Sequence, residues 1–230
     1  MTGTEKRLYL FDIDGTLITS GGAGERALRE AMRTRFGVEE DLKSIVLAGA
    51  TDSLIARELL VKNGIEPDAA NVAGLLDSYL ASLVEQMPAH AGRLMPGITG
   101  LLEALAARPE CVLGLLTGNL AKGAEIKLTH YGVWHYFEFG AFADDSHDRN
   151  DLGHFARARA AEAHGIDFPP ERIYILGDTP RDIACARAVG ARAVAIATGD
   201  YPAAALAAES PDFLFEDLSD TETVLSRLLA

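Results

Sequence analysis

The sequence is poor in cysteine and in basic residues and has no long apolar segment, and each shortage argues against a class of protein. The two cysteines, Cys111 and Cys185, form neither a CxxC pair nor a ligand cluster, so we expect no disulfide framework and a reducing, cytoplasmic location. No stretch approaches ~20 apolar residues without a charge, and residues 1–7 lack the apolar run of a secretory signal. We therefore expect neither a membrane span nor export.

Basic residues are outnumbered by acidic ones. Lys and Arg number 21 against 34 Asp and Glu, which gives a net charge of −13. Nucleic-acid-binding proteins usually carry a basic face, and anionic membrane surfaces attract basic segments, so we expect neither partner. A small anionic substrate is compatible with this charge, because a bound cation can reverse the field inside a site. The hydrophobic content of 48% in 230 residues suffices for a core and argues against disorder.

The pattern of apolar residues predicts an α/β fold. A short apolar run over residues 8–11 indicates a buried strand, and after residue 96 strands alternate with helices. The predicted strands cover residues 112–116, 137–142, 173–176 and 193–196, and the predicted helices cover residues 98–107, 120–131, 151–164, 182–189 and 203–208. This alternation predicts right-handed crossovers and a Rossmann-like parallel sheet flanked by helices.

Residues 20–95 show helical periodicity instead. Helices are predicted over residues 25–35, 54–62 and 72–84. In the third, the apolar positions fall on one face of a 3.6-residue helix: Val72, Leu75, Leu76, Tyr79, Leu80, Leu83 and Val84. The economical architecture is an α/β core of residues 1–19 and 96–230, with an all-helical domain of residues 20–95 inserted after the first strand.

Acidic residues follow the first and fourth strands of the core. Asp12 and Asp14 come directly after the first strand, and Asp178 and Asp182 follow the fourth. Because ligands of open parallel sheets bind at the carboxyl ends of the strands, we expect these side chains to share one crevice. Two such charges ~4 Å apart repel by about 4 kcal/mol at an effective dielectric near 20. Either some of the carboxyls hold protons or a cation lies among them, and an all-oxygen set suits Mg²⁺.

The second strand of the core ends at Thr117-Gly118-Asn119, which opens a predicted helix. A hydroxyl and backbone N–H groups at a helix N-terminus provide an anion site, so these residues are candidates to bind a phosphate that Mg²⁺ also contacts. The alternative is that Thr117 only caps the helix.

These segments resemble the signatures of the haloacid dehalogenase-like hydrolase superfamily. Asp12-Ile13-Asp14-Gly15-Thr16 looks like its first signature, Thr117 matches the second, and the segment from Gly177 to Asp182 matches the fourth, in its GDxxxD form. The resemblance spans essentially the whole chain, and it implies that the inserted helices are a cap domain. Within the superfamily the chain is similar to phosphoglycolate phosphatases.

The resemblance implies a role for each matched residue. Asp12 would be the nucleophile that forms an aspartyl-phosphate, and Asp14 would protonate the leaving alcohol and then activate water. Mg²⁺ would be held by the carboxylates of Asp12 and Asp178 and the backbone carbonyl of Asp14. Thr117 and nearby amides would bind the phosphoryl oxygens, and Asp182 would support the site or orient the cation of the third signature.

The third signature is where this chain departs from the family, which usually has a lysine there. No lysine follows Lys127. The best candidate is Arg149, which keeps the charge and can bind phosphate bidentately but is not interchangeable with lysine. A solvated loop arginine is the alternative, and Lys122 is a weaker substitute for the missing lysine.

Two further loops have a functional and a structural interpretation. Thr51 and Asp52 precede a helix of the inserted segment, and they belong either to a specificity loop that faces the substrate or to a simple turn with an N-cap. The acidic residues 144–148 form either a second cation site or a solvated loop.

The leading hypothesis is a Mg²⁺-dependent phosphatase that acts on a small phosphorylated metabolite, as a monomer or homodimer. Asp14 argues against a dehalogenase, which does not need this acid, and against a phosphonate hydrolase, which lacks it and uses a cap lysine. Thr16 argues against a sugar-phosphate mutase of the same superfamily, because mutases often carry valine there. A non-catalytic phosphate-binding regulatory module is supported only by the missing lysine.

Overall fold

A computed structural model describes residues 6–230, and its principal sheet has six parallel strands in the order β5-β4-β1-β6-β7-β8. The strands of this sheet are β1 (Arg7–Phe11), β4 (Cys111–Leu116), β5 (Gly140–Ala141), β6 (Ile173–Gly177), β7 (Arg192–Ile196) and β8 (Phe213–Phe215). A separate antiparallel pair is formed by β2 (Ile18–Thr19) and β3 (Arg93–Leu94). The predicted parallel sheet is therefore confirmed, with β1 at its centre between β4 and β6.

Helices follow the strands or lie in the segment between β2 and β3. Their bounds are α1 (Ala23–Phe36), α2 (Asp52–Lys62), α3 (Ala69–Ala89), α4 (Ile98–Ala106), α5 (Ala121–His130), α6 (Arg149–His164), α7 (Pro180–Ala188), α8 (Ala203–Ala208) and α9 (Thr221–Leu228). Two single turns of 3₁₀ helix cover Trp134–Tyr136 and Pro170–Arg172. No helix within residues 6–230 combines the length and apolarity that a bilayer crossing requires.

The sheet is apolar on both faces, because successive side chains of a strand point to opposite sides. On β1, Tyr9 and Phe11 enter one core with side chains from α4, α5 and α9, and Leu8 and Leu10 enter the other with side chains from α6, α7 and α8. Both layers of helices therefore hold β1 rigidly, and the loop after Phe11 starts from a fixed point.

The inserted helices share a third apolar cluster. Leu28 and Met32 of α1 pack with Leu59 of α2 and with Leu75 and Leu83 of α3. The helix of residues 72–84 is longer than predicted at both ends. Its apolar face is narrower than expected, because Val84 is 56% exposed.

Short elements differ most from the prediction. The strand predicted over residues 137–142 is only β5, since a 3₁₀ turn precedes it and its ladder to β4 has two residue pairs. The β2–β3 pair, with Ile18 opposite Leu94 and Thr19 opposite Arg93, was not predicted, because two residues give no readable period. β8 and α9 were also missed. The pairing of β2 with β3 brings the two ends of the inserted segment together beside the sheet.

Candidate active site

The candidate site lies where β1, β4 and β6 end. Asp12 follows β1, Thr117 follows β4 and Asp178 follows β6, and these strands are neighbours in the sheet. The backbone N–H of Asp12 still donates to the carbonyl of Leu176 at 2.9 Å, so the first carboxylate is fixed by the ladder itself. The crevice predicted from the strand ends therefore exists in the fold.

A tight turn after β1 brings the backbone against Asp178. Gly15 has φ of +82°, and its N–H donates to the carbonyl of Ile18 at 2.8 Å. A Cβ at Gly15 or at Gly199 would overlap the Asp178 carboxylate, so the absence of side chains at both positions leaves room for it. Thr16 donates its hydroxyl to Asp178 Oδ1 at 3.0 Å, which leaves the other carboxylate oxygen between the two glycines.

Three buried carboxylates form a compact cluster. Asp12, Asp178 and Asp182 each place one oxygen so that all three atoms lie within 4.8 Å of one another, and each residue is at most 4% exposed. Burial raises the pKa of Asp12 above its ordinary value, against the opposing effect of the Arg149 guanidinium. Burial, together with the charges of Asp182 and Asp12, raises the pKa of Asp178. Such an arrangement favours either protons or a cation with a preference for oxygen.

Arg149 lies inside this cluster. It is the first residue of α6, after the N-cap Asp148, and it is 6% exposed. Its Nη2 lies 3.0 Å from Asp12 Oδ1 and 2.5 Å from Asp182 Oδ1. Burial opposes the charge, but the adjacent carboxylates dominate and raise the pKa of Arg149, which stays protonated. Its Nε is buried and has no partner within residues 6–230.

Asp182 links the cluster to α7. Its Oδ2 accepts hydrogen bonds from the backbone N–H of Thr179 at 2.9 Å and from the Thr179 hydroxyl at 2.7 Å. This contact caps α7 and fixes the carboxylate that faces Arg149. The GDxxxD spacing therefore places Asp182 one helical turn after the strand end, beside Arg149.

In the segment after β4, Gly118 and Asn119 line the cavity at this crevice, whereas Thr117 is absent from the cavity lining. Thr117 is fully buried, and its Oγ1 accepts from Asn119 Nδ2 at 2.8 Å. The same amide nitrogen donates to Asp14 Oδ2 at 2.9 Å. Gly118 lines the cavity, and its carbonyl accepts from the N–H of Asp52 at 2.7 Å. The loops after β1 and β4 are thus joined by Asn119.

Lys127 is a site residue that the sequence interpretation missed. It is 4% exposed, and its Nζ lies 2.6 Å from Asp14 Oδ2 and 2.6 Å from Asn119 Oδ1. The signal was present, because Gly123, Ala124, Lys127 and Leu128 form the buried face of α5 at helical spacing. A lysine on the apolar face of a helix needs a buried acceptor. Lys122, by contrast, is exposed and pairs with Glu125 at 2.8 Å.

A cavity of about 420 Å³ lies at this crevice, and residues of the inserted segment line it together with residues of the strand ends. Asp52 lines the cavity, accepts from the N–H of Leu120 at 2.8 Å, and has its pKa raised by burial to about 6. Thr51 is absent from the cavity lining. Its hydroxyl accepts from Leu54 N to cap α2 and donates to the carbonyl of His147 at 2.8 Å.

The acidic loop of residues 144–148 is occupied by structural contacts. Asp144 accepts from the N–H of Ala121, Asp145 pairs with Arg159 at 2.6 Å, and Asp148 caps α6. Among residues 6–230, the His, Cys, Asp and Glu side chains that could jointly hold a metal ion are those of Asp12, Asp178 and Asp182.

Comparison with known proteins assigns the class. The family model for the haloacid dehalogenase-like hydrolases matches residues 9–187, and the chain belongs to this family. It is 28% identical over 221 residues to a phosphoglycolate phosphatase of Synechococcus elongatus, covering 96% of this chain and 97% of the relative. It is 25% identical over 228 residues to a probable phosphatase, IndB, of Dickeya dadantii, covering 97% of this chain and 95% of that protein.

Solved structures share the fold. CbbY from Rhodobacter sphaeroides, crystallised with xylulose-(1,5)bisphosphate, superposes with a TM-score of 0.75 at 21% identity, covering 94% of this chain and 96% of CbbY. Within the family, the phosphatase relatives assign this chain to the phosphoric monoester hydrolases. A cluster of carboxylates at the strand ends, which could hold a metal ion, agrees with that class.

Proposed function

We propose that the chain is a Mg²⁺-dependent phosphatase that hydrolyses a small phosphate monoester, similar to phosphoglycolate, through an aspartyl-phosphate on Asp12. The observation that carries the proposal is the position of Asp12 Oδ1, 3.0 Å from Arg149 and in the same 4.8 Å cluster as Asp178. The Asp12 carboxylate lies beside the Arg149 guanidinium and beside Asp178, which would hold a metal ion. The positive charges of the guanidinium and of the ion would offset the negative charges of Asp12 and of the phosphate, so that Asp12 could attack phosphorus.

The donor set fits Mg²⁺. The carboxylates of Asp12 and Asp178 and the backbone carbonyl of Asp14 would hold the ion, and all of these donors are hard oxygens. The cradle formed by Gly15 and Gly199 around Asp178 and the raised pKa values of Asp12 and Asp178 support a cation there. When bound, the ion would neutralise charge on the phosphoryl oxygens.

In the first step an oxygen of Asp12 attacks phosphorus, and the bond between phosphorus and the ester oxygen breaks. Asp14 gives its proton to the departing oxygen, so that the alcohol leaves neutral. In the second step a water attacks the aspartyl-phosphate and Asp14 takes the proton of this water. The acyl phosphate bond breaks, which restores the Asp12 carboxylate and releases inorganic phosphate.

Asp14 is suited to exchange protons with the alcohol and with water. Its side chain is 44% exposed to the cavity side, unlike the buried Asp12. Lys127 and Asn119 hold one of its oxygens at 2.6 and 2.9 Å, which fixes the orientation of the carboxyl group.

The phosphoryl group would be bound by Thr117, by the backbone N–H groups of Gly118 and Asn119, and by Arg149. These groups surround the end of β4 and the start of α6. Arg149 would take the place of the lysine that the family usually has at its third signature. Asp182 would orient Arg149 through the contact at 2.5 Å.

Residues 20–95 would act as the cap over this core of residues 1–19 and 96–230. The β2–β3 pair joins the two connections, and α1, α2 and α3 pack into one cluster that can move as a unit. The loop with Thr51 and Asp52 would reach the substrate through Asp52, which lines the cavity.

The test is phosphate release from a panel that includes 2-phosphoglycolate and an aryl phosphate, with Mg²⁺ and with a chelator. Asp12→Asn removes the nucleophile at constant volume, and Asp77→Asn on the exposed side of α3 is the matched control. We expect release that requires both Mg²⁺ and Asp12 and that survives Asp77→Asn. Release that persists in Asp12→Asn, or transfer of phosphate between two positions of a sugar without release, would overturn the proposal.

A further inference from the structure

A polar corner of the cavity includes Lys127, whose contact with Asp14 is used above, and two residues that the proposed steps do not use. It is lined by Gly24 of α1, Tyr79 of α3 and Lys127 of α5. We propose that these three residues form a subsite for an acceptor oxygen, hydroxyl or carboxylate, on the substrate carbon next to the ester-bearing carbon. The inference rests on the proposed function and names the substrate class as short phosphate monoesters that carry oxygen at the second carbon.

Tyr79 brings a donor without a partner. The residue is 2% exposed, and within residues 6–230 its hydroxyl makes no hydrogen bond, although it borders the cavity. Burial, together with the charges of Asp52 and Asp14, raises the pKa of Tyr79 well above its ordinary value, so the phenol keeps its proton. Because the hydroxyl borders the cavity, an oxygen of a ligand bound there would supply an acceptor for it.

Lys127 brings a second donor. Its ammonium group carries three N–H bonds, of which one is directed to Asp14 and one to Asn119, both at 2.6 Å. One N–H is left for a ligand. The side chain is 5% exposed, so its position is set by the protein rather than by solvent.

Gly24 keeps the space between these two donors open. A Cβ at this position would lie 3.9 Å from Lys127 Nζ and 3.9 Å from the Tyr79 hydroxyl oxygen, and it would meet no other contact within 4 Å. The two polar atoms therefore border the same open space, beside the second residue of α1. A methyl group there would occupy the subsite without clashing with the protein.

The position of this space identifies the part of the substrate that it would bind. Lys127 Nζ also contacts Asp14, the residue proposed to protonate the departing ester oxygen. The subsite therefore adjoins the leaving group rather than the phosphoryl group. An oxygen on the next carbon of a short alcohol would reach it, whereas a plain alkyl group would leave both donors unpaired, which carries a penalty in binding.

Three two-carbon esters test the inference: ethyl phosphate, 2-hydroxyethyl phosphate and 2-phosphoglycolate. They share the scissile bond between phosphorus and a CH2–O group, and the second carbon is a methyl group, a hydroxymethyl group and a carboxylate, respectively. The protein variants are Tyr79→Phe, Gly24→Ala and the control Tyr174→Phe, a buried tyrosine outside the cavity lining. Thermal unfolding of each variant checks that it is folded, and kcat/KM is measured for each ester with Mg²⁺.

We expect the wild-type protein to prefer the two oxygenated esters to ethyl phosphate. One hydrogen bond corresponds to a change of about 3- to 10-fold, so Tyr79→Phe should lower kcat/KM for the oxygenated esters by that factor and leave ethyl phosphate within about twofold. Gly24→Ala should lower kcat/KM more for the oxygenated esters than for ethyl phosphate. Tyr174→Phe should leave kcat/KM unchanged for all three esters. The subsite prefers a hydroxyl group if Tyr79→Phe lowers kcat/KM more for 2-hydroxyethyl phosphate, and a carboxylate if the larger fall is for 2-phosphoglycolate.

If Tyr79→Phe lowered kcat/KM equally for all three esters, or lowered it for none, the subsite would be contradicted. Hydrolysis that still required Asp12 and Mg²⁺ would in that case leave the proposed function supported. If the wild-type protein hydrolysed none of the esters, the proposed function would fail, and binding would decide the subsite. The three esters would then be titrated calorimetrically into Asp12→Asn with and without Tyr79→Phe. The same 3- to 10-fold selective weakening would support the subsite, and its absence would contradict it.

Discussion

The carboxylate cluster makes thermal stability depend jointly on Mg²⁺ and pH. Asp12, Asp178 and Asp182 place oxygens within 4.8 Å of one another, and Arg149 supplies one compensating charge. At an effective dielectric near 20, two unit charges at this distance repel by about 3.5 kcal/mol. For a chain of this size, 1 kcal/mol corresponds to roughly 2–4 °C in Tm, so relief of one pair by Mg²⁺ would raise Tm by about 7–14 °C.

The sign of the pH dependence follows from the raised pKa values of Asp12 and Asp178. A carboxyl whose folded-state pKa lies above its unfolded-state value binds a proton more tightly in the folded state. Its contribution to stability is therefore complete below about pH 4 and is lost as the pH rises through the raised pKa. We expect the metal-free protein to lose stability between pH 5 and pH 8, and the Mg²⁺-induced rise in Tm to be larger at pH 8 than at pH 5.

The assay is thermal unfolding at pH 5, 6, 7 and 8, with a chelator and with saturating Mg²⁺. Asp178→Asn removes one charge of the cluster at constant volume, so at pH 8 without metal this variant should unfold several degrees above the wild type and lose most of the Mg²⁺ effect. Asp77→Asn, the same change on the surface, should behave like the wild type. A Mg²⁺ effect that is independent of pH, or metal-free stability that rises from pH 5 to pH 8, would refute the reasoning.

Three further substitutions have expected outcomes. Arg149→Ala leaves Asp12 without its buried partner and should lower the free energy of unfolding, measured in urea titrations, by about 3–5 kcal/mol. Arg149→Lys should recover part of this loss. A loss below about 1 kcal/mol would show that the ion pair contributes little to stability. Lys127→Met removes a charged hydrogen bond to the proposed acid and should lower kcat about 10- to 100-fold on every ester, and an unchanged kcat would assign the orientation of that acid elsewhere. Gly199→Ala introduces a Cβ that overlaps the Asp178 carboxylate, so calorimetry should find that the folded variant binds Mg²⁺ more weakly. An unaltered affinity would contradict the proposal that the space beside Gly199 is needed for Mg²⁺ binding.

Much of the site could be predicted from the sequence because it lies at the ends of buried strands. A parallel sheet places the residues after β1, β4 and β6 at one edge, so reading the residues after each apolar run located Asp12, Thr117 and Asp178 together. Arg149 could be proposed only by elimination, since no lysine follows Lys127. The contact of Arg149 with both Asp12 and Asp182 comes from the packing of α6 beside α7, which no local pattern encodes.

Local sequence determined the long strands and helices of this protein, because burial of one face imposes a period that extends over several residues. Tertiary structure alone decided the features that depend on distant partners: the two-residue pairing of β2 with β3, the shortness of β5, and the convergence of Gly24, Tyr79 and Lys127 from three helices. The physical reason is that a hydrogen bond or an open space is defined by atoms far apart in the chain. Periodicity shows which face of a helix is buried, as it does for Lys127 on α5, but only packing shows what that face meets.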